Sequence, residues 1–131
     1  MNDHTLFVYG SLRPGGHLYG LWRGTVTSAR PTTAPGMELL LVPHGQYPAM
    51  IRQRGAQVHG TLLTVKDGPA WRDVYDMECR SGYEWEGIWV STADGPQLAG
   101  AFLWEDEHAG EYLDPVPGAD WIRHSTGVTC S

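Results

Sequence analysis

Apolar positions along the chain fall into short runs broken by glycine and proline, which is the punctuation of a strand-rich fold. Thr5 to Tyr9 is a continuous apolar, β-branched and aromatic run that stops at Gly10, the pattern of a strand buried on both faces and central in a sheet. Gly10 to Gly16 holds three glycines and a proline beyond that stop, so it predicts a loop, followed by a helical turn over Leu18 to Trp22. Further strands are predicted over Gly24 to Thr33 and Met37 to Val42, separated by Ala34-Pro35-Gly36. Pro43 to Gln46 reads as a turn into Tyr47 to Gln53, and Gln57 to Val65 as another strand with Gly60 as a bulge. Gly87 to Thr92 and Gln97 to Trp104 flank Asp94-Gly95, a short-range hairpin signal, and the tail from Glu105 reads as irregular.

One segment has helical periodicity. Gly68-Pro69, preceded by Asp67, supplies an opening signal, and the helix is predicted to run to about Cys79. Trp71, Val74, Tyr75 and Glu78 recur at i, i+3, i+4 and i+7, so a carboxylate sits where a core leucine is expected. Burying an ionised carboxylate raises its pKa towards the range where it both takes and returns a proton near neutrality. Glu78 is thus a candidate acid-base residue. An outward turn at the helix end, or an ion pair with Arg80 or Arg13, is the structural alternative. Asp73 and Asp76 lie off the stripe and read as solvated surface.

The architecture predicted is α+β: a mixed sheet curled into a small β-barrel, with one principal helix and short helical turns, residues 1–131 forming a single domain. The 131 residues are 41% apolar, in the range of one core. A formal charge of −6, with one lysine (Lys66) and eight scattered arginines, offers no basic patch for a phosphate backbone, so no nucleic-acid partner is expected. No run approaches a membrane span and the N-terminus lacks signal-peptide character, so a soluble, cytoplasmic protein with no membrane partner is expected. Cys79 and Cys130 lie far apart without CxxC spacing, which fits reduced thiols better than a disulfide framework or a zinc site.

The loop after the first strand leaves backbone N–H groups without ladder partners, and successive N–H groups in such a turn form a concavity for an anion such as a substrate carboxylate. An ordinary tight connection is the alternative. The string is neither a phosphate-binding loop nor a nucleophile elbow.

Leu6-Phe7-Val8-Tyr9-Gly10-Ser11-Leu12-Arg13-Pro14-Gly15 resembles the opening signature of the γ-glutamylcyclotransferase-like group, which includes γ-glutamylamine cyclotransferases and AIG2-like proteins. The similarity continues through Gln46-Tyr47-Pro48-Ala49-Met50, Val58-His59-Gly60-Thr61-Leu62, Tyr75-Asp76-Met77-Glu78 and Ala119-Asp120-Trp121. The resemblance implies a small barrel flanked by helices, with the opening loop and the acidic helix end bordering one cavity. It further implies that backbone groups of Gly10, Ser11 and Leu12 hold a glutamyl α-carboxylate beside Tyr9, that Tyr83 contacts the substrate, and that Glu78 aligns with the family's catalytic glutamate. This chain departs at Tyr83-Glu84-Trp85, where many relatives carry arginine two residues after the tyrosine. An arginine contact is therefore expected to be missing and an extra acidic group to stand near the site. Cys79 stands where glycine is common.

The activity so implied is cyclisation of the γ-glutamyl group of a γ-glutamyl amine or peptide, releasing 5-oxoproline and the free amine, with no metal or other cofactor. A non-catalytic ligand-binding or regulatory protein on the same scaffold is the competing reading. Cys79 as a thiol nucleophile is disfavoured, because a sequence neighbour points about 100° away from Glu78 on a helix. Glu105-Asp106-Glu107-His108 reads as a solvated turn rather than a metal site.

Overall fold

A computed structural model describes residues 3–16, 18–42 and 47–122. Six strands run β1 Asp3–Val8, β2 Val26–Val42, β3 Tyr47–Lys66, β4 Tyr83–Thr92, β5 Gly95–Trp104 and β6 Asp114–Pro115, with helix α1 at Pro69–Arg80 between β3 and β4. Short 3-10 turns lie at Tyr19–Leu21, Arg23–Thr25, Ala109–Glu111 and Pro117–Ala119. The sheet order is β3-β1-β5-β4-β2-β6, and β2 also pairs with β3, so five strands close into a ring and β6 rides on the edge of β2. The predicted α+β class holds, with a ring that approaches a barrel.

The ring is uneven. The β2–β3 hairpin is paired along most of its length, whereas β1 and β5 run parallel and share the single pair Leu6 with Gly100. β2 and β4 meet at Thr33 with Ser91. Leu6, Phe7 and Val8 are buried in succession, as expected of a central strand with β3 and β5 on its two sides. Helix α1 buries Trp71 and Val74, while Arg72, Asp73 and Asp76 stay exposed. The Trp71 ring stacks on His4 at 4.3 Å and lies 5.3 Å from Trp85 and 6.3 Å from Trp22 between ring centres, which seats the helix on the sheet. Among the described residues no helix is long and apolar enough to cross a membrane.

Several boundaries differ from the sequence expectation. Ala34-Pro35-Gly36 does not separate two strands; β2 continues through it, and Gly36 takes φ +74° at a shift of register between Pro35 and Met37. Opposite it, 53–56 bow out of an otherwise continuous β3, with Gly55 at φ +86°. A bulge carries the same glycine and proline signature as a turn, and only the partner strand tells them apart. Gly60 is no bulge. It pairs in register with Thr32, and a Cβ there would lie 2.4 Å from Phe7 Cζ and 2.5 Å from the Val8 carbonyl oxygen. β4 begins at Tyr83, four residues before the predicted Gly87, since Tyr83 to Glu86 pair with Trp104 to Ala101. The predicted turn at Pro43 to Gln46 and the thiol of Cys130 lie outside the described residues.

Candidate functional site

The loop leaving β1 is fixed by its own carbonyls. Arg13 N–H donates to Gly10 O at 3.1 Å, Gly16 N–H to Arg13 O at 2.8 Å and Leu18 N–H to Ser11 O at 3.0 Å. Trp22 Nε1 donates to Leu12 O at 3.3 Å, so a fully buried indole holds the loop from below. Gly16 is required by space, as a Cβ would sit 2.2 Å from Ser11 O. With these carbonyls engaged, the N–H groups of Gly10, Ser11 and Leu12 have no hydrogen-bond acceptor among the described residues. All three residues line a cavity of about 430 Å³.

A side chain that the sequence reading left without this role fastens the loop. Arg13 Nε donates to Thr61 Oγ1 at 3.2 Å, and its Nη1 donates to Asp120 Oδ1 at 2.9 Å and to His59 O at 3.5 Å. The guanidinium is therefore tied to β3 and to the C-terminal segment at once, and its fork is spent on them. A signal was available: Arg13, His59, Thr61 and Asp120 all fall within the strings that carry the family resemblance.

Glu78 lies in the last turn of α1 and lines the same cavity as the loop. It is half-buried, and among the described residues it has no cationic partner: Arg13 is committed elsewhere and Arg80 is exposed. The ion-pair alternative is thereby removed. Loss of hydration without a compensating charge pushes its carboxyl up from 4.5 to about 7.

Two tyrosines complete the wall. Tyr9 O–H donates to Phe102 O at 2.5 Å and Tyr83 O–H donates to Pro48 O at 2.5 Å. Both rings are buried and both phenols are raised well above their ordinary value, first by burial and then by nearby charge, Glu78 included. The five candidates Tyr9, Gly10, Ser11, Leu12 and Tyr83 thus share one cavity with Glu78. Apolar side chains of Leu18, Met77 and Phe102 fill out the lining; of these only Met77 falls within a string that carries the family resemblance.

The departure at Tyr83-Glu84-Trp85 lies elsewhere. Glu84 is exposed, and Trp85 packs beneath α1, with ring centres 6.0 Å from Tyr75 and 5.0 Å from Phe102. Neither lines the cavity, so no extra acidic group stands at the site. Strand alternation sends 83 inward and 84 outward, while room for the indole of 85 comes from Gly100, where a Cβ would lie 2.0 Å from the Trp85 ring. Cys79 is exposed and off the stripe, as expected. Asp106 accepts from His108 N–H at 2.9 Å and from the Tyr112 hydroxyl, the bonding of a surface turn.

A ring of strands with one helix, a glycine-rich loop after the first strand and a half-buried glutamate lining the same cavity define a cyclotransferase-like scaffold. The family model described as gamma-glutamyl cyclotransferase, AIG2-like, matches residues 6–123, and the chain belongs to that family. Its fold is similar to the crystal structure of an AIG2-like protein from Mus musculus, at a TM-score of 0.75 and 17% identity over 92% of this chain and 89% of that one. An uncharacterized protein from Pyrococcus horikoshii is similar at a TM-score of 0.68 and 20% identity, covering 98% of this chain and 99% of that one. A structure titled gamma-glutamyl cyclotransferase aligns at a TM-score of 0.63 and 15% identity over 88% of this chain and 73% of that one. No curated protein matches the chain.

Proposed function

We propose that this protein cyclises the γ-glutamyl group of a γ-glutamyl amine or peptide, releasing 5-oxoproline and the free amine, with Glu78 as the acid-base group. The observation that carries the reading is a glutamate without an ion-pair partner among the described residues, raised to about 7, in a cavity also lined by three successive residues whose N–H groups have no acceptor among those residues. A glutamyl α-carboxylate suits those N–H groups of Gly10, Ser11 and Leu12, beside Tyr9. Glu78, ionised, then takes a proton from the α-ammonium, and the freed nitrogen attacks the γ-carbonyl carbon. The C–N bond to the amine breaks as Glu78 returns a proton to the departing nitrogen. Two protons leave the α-nitrogen and two arrive at the leaving one, so no water is consumed. Because both reacting groups belong to one molecule, the gain comes mainly from holding the folded conformer, with the carboxylate as its anchor.

The test is incubation with γ-glutamyl amines, γ-glutamyl dipeptides and glutathione, with mass-spectrometric detection of 5-oxoproline. Glu78→Gln should lower turnover by at least about 10². Binding of these compounds without 5-oxoproline across the whole panel would replace the enzymatic reading with that of a binding protein on the same scaffold.

A further inference from the structure

Resting on the reaction proposed above, we infer that Tyr47 sets the choice of leaving amine: its ring, with Met77 and Leu18, forms an apolar rim that selects an amine bearing an aryl or alkyl substituent of about benzene size. The cavity holds more than the glutamyl part of a substrate. An apolar cavity of about 150 Å³ takes up benzene, and the glutamyl acyl group is half as large again in heavy atoms. It therefore fills roughly half of the cavity's volume of about 430 Å³ and leaves space for a second group of benzene size or a little more.

Burial divides the lining into a floor and a rim. Phe7, Leu12 and Phe102 are buried, whereas Leu18, Tyr47 and Met77 are partly exposed, each packed on one side against the core. These three present apolar surface that water wets until a ligand covers it. The tyrosines of the lining divide in the same way. Tyr9 and Tyr83 are tied through their hydroxyls to the carbonyls of Phe102 and Pro48, while the Tyr47 hydroxyl has no hydrogen bond among the described residues. Tyr47 is held by its ring alone, tilted against Tyr83 at 6.3 Å and Trp104 at 5.9 Å between centres. Its role follows from where the reaction must happen. Glu78 has to reach the departing nitrogen, and its charge acts on the phenol of Tyr83, which Tyr47 flanks. Met77 precedes Glu78 on α1, and Leu18 is held beside the loop by the bond from its N–H to Ser11 O. A substituent on that nitrogen therefore leaves Glu78 across the rim and covers the Tyr47 ring, which favours it in proportion to the apolar area removed from water.

The experiment compares γ-L-glutamyl phenethylamide with γ-L-glutamyl methylamide, whose amines have similar basicity, on wild type, Tyr47→Ala and Tyr47→Phe. The readout is the ratio of kcat/KM for 5-oxoproline release, or of calorimetric Kd where no product forms. Wild type should favour the phenethylamide by about tenfold or more, the scale of one ring partly buried. Tyr47→Ala should remove most of that ratio and leave the methylamide nearly unaffected, whereas Tyr47→Phe, which keeps the ring, should retain it. Thermal melting checks that each variant folds. Should Tyr47→Ala not fold, Met77→Ala trims the rim from the helix side and should lower the ratio in part. Equal loss of both amides in Tyr47→Ala overturns the rim, because a merely structural ring would weaken them alike. So does a ratio that is lost in Tyr47→Phe or unchanged in both alanine variants. A wild-type preference in binding without 5-oxoproline from either amide overturns the reaction and leaves the rim. Product from both amides at equal efficiency does the reverse, and neither binding nor product overturns both.

Discussion

Replacing Glu78 by glutamine removes a charge that folding carries into a partly dry cavity, so the variant should gain stability as it loses turnover. The folded carboxyl sits at about 7 against an ordinary 4.5, displaced by burial. Between those values the folded chain holds the proton more tightly than the unfolded chain does, so this group's contribution to stability falls as pH rises from 4.5 to about 7. At 1.36 kcal/mol per pH unit, the separation amounts to about 3 kcal/mol of destabilisation above neutrality and none in acid. Glutamine has nearly the same shape and no charge. Glu78→Gln should therefore unfold later than wild type by about 3 kcal/mol at pH 8, or roughly 10 °C for a chain of this size, and by nothing near pH 4. Urea unfolding of both proteins at intervals from pH 4 to 8 makes the measurement, because titration of every other group cancels in the difference. A difference that stays flat over that range would mean that Glu78 is solvated or paired, and the argument for its catalytic poise would fail with it.

The same displaced carboxyl predicts a pH profile for product formation. With Glu78 acting as a base, kcat/KM for 5-oxoproline release should fall in acid with a midpoint near 7; a midpoint near 4.5 would point to an unperturbed group. Arg13→Ala cuts the ties from the loop to Thr61 and Asp120, so KM should rise about tenfold with a smaller change in kcat, and Arg13→Lys should restore little because it lacks the planar fork. Steady-state kinetics on the three proteins distinguishes this from a general loss of fold, which would lower the active fraction and leave KM alone. Gly100→Ala drives a methyl into the Trp85 ring and should cost about 1–3 kcal/mol in denaturant unfolding, with a smaller penalty in a Trp85→Ala background. Equal penalties in both backgrounds would mean that the indole is not what Gly100 accommodates.

The strand β1, the hairpin at Asp94-Gly95 and the helix α1 were legible in the sequence because each has a local cause: a hydrophobic run, a turn pair, a periodic stripe. The same periodicity put Glu78 on the buried stripe but left an outward turn at the helix end open, and that it would share a cavity with the loop was implied by the family resemblance. What could not be read locally depended on a partner. Whether Ala34-Pro35-Gly36 ends a strand or bends it is decided by 53–56 across the hairpin. Gly60 looked like a bulge until Phe7 was seen to occupy the space beside it. Glu84, expected as an extra acidic group near the site, points outward instead, and Trp85 packs under the helix, where Gly100 leaves a hollow for its ring. That Glu78 has no cationic partner among the described residues rests on where Arg13 spends its guanidinium, which only the tertiary structure fixes.

β1 and β5 share one rung at Leu6 and Gly100 and then part, and the phenol of Tyr9 reaches over to the Phe102 carbonyl where a further rung would have used it. Pro48 is served in the same way by Tyr83. Two backbone carbonyls, of Phe102 and Pro48, are thus capped by aromatic hydroxyls whose rings line the same cavity. Each tyrosine therefore serves the wall and a tie to a neighbouring strand at once, so a change at either position alters the shape of the cavity and a tertiary contact together.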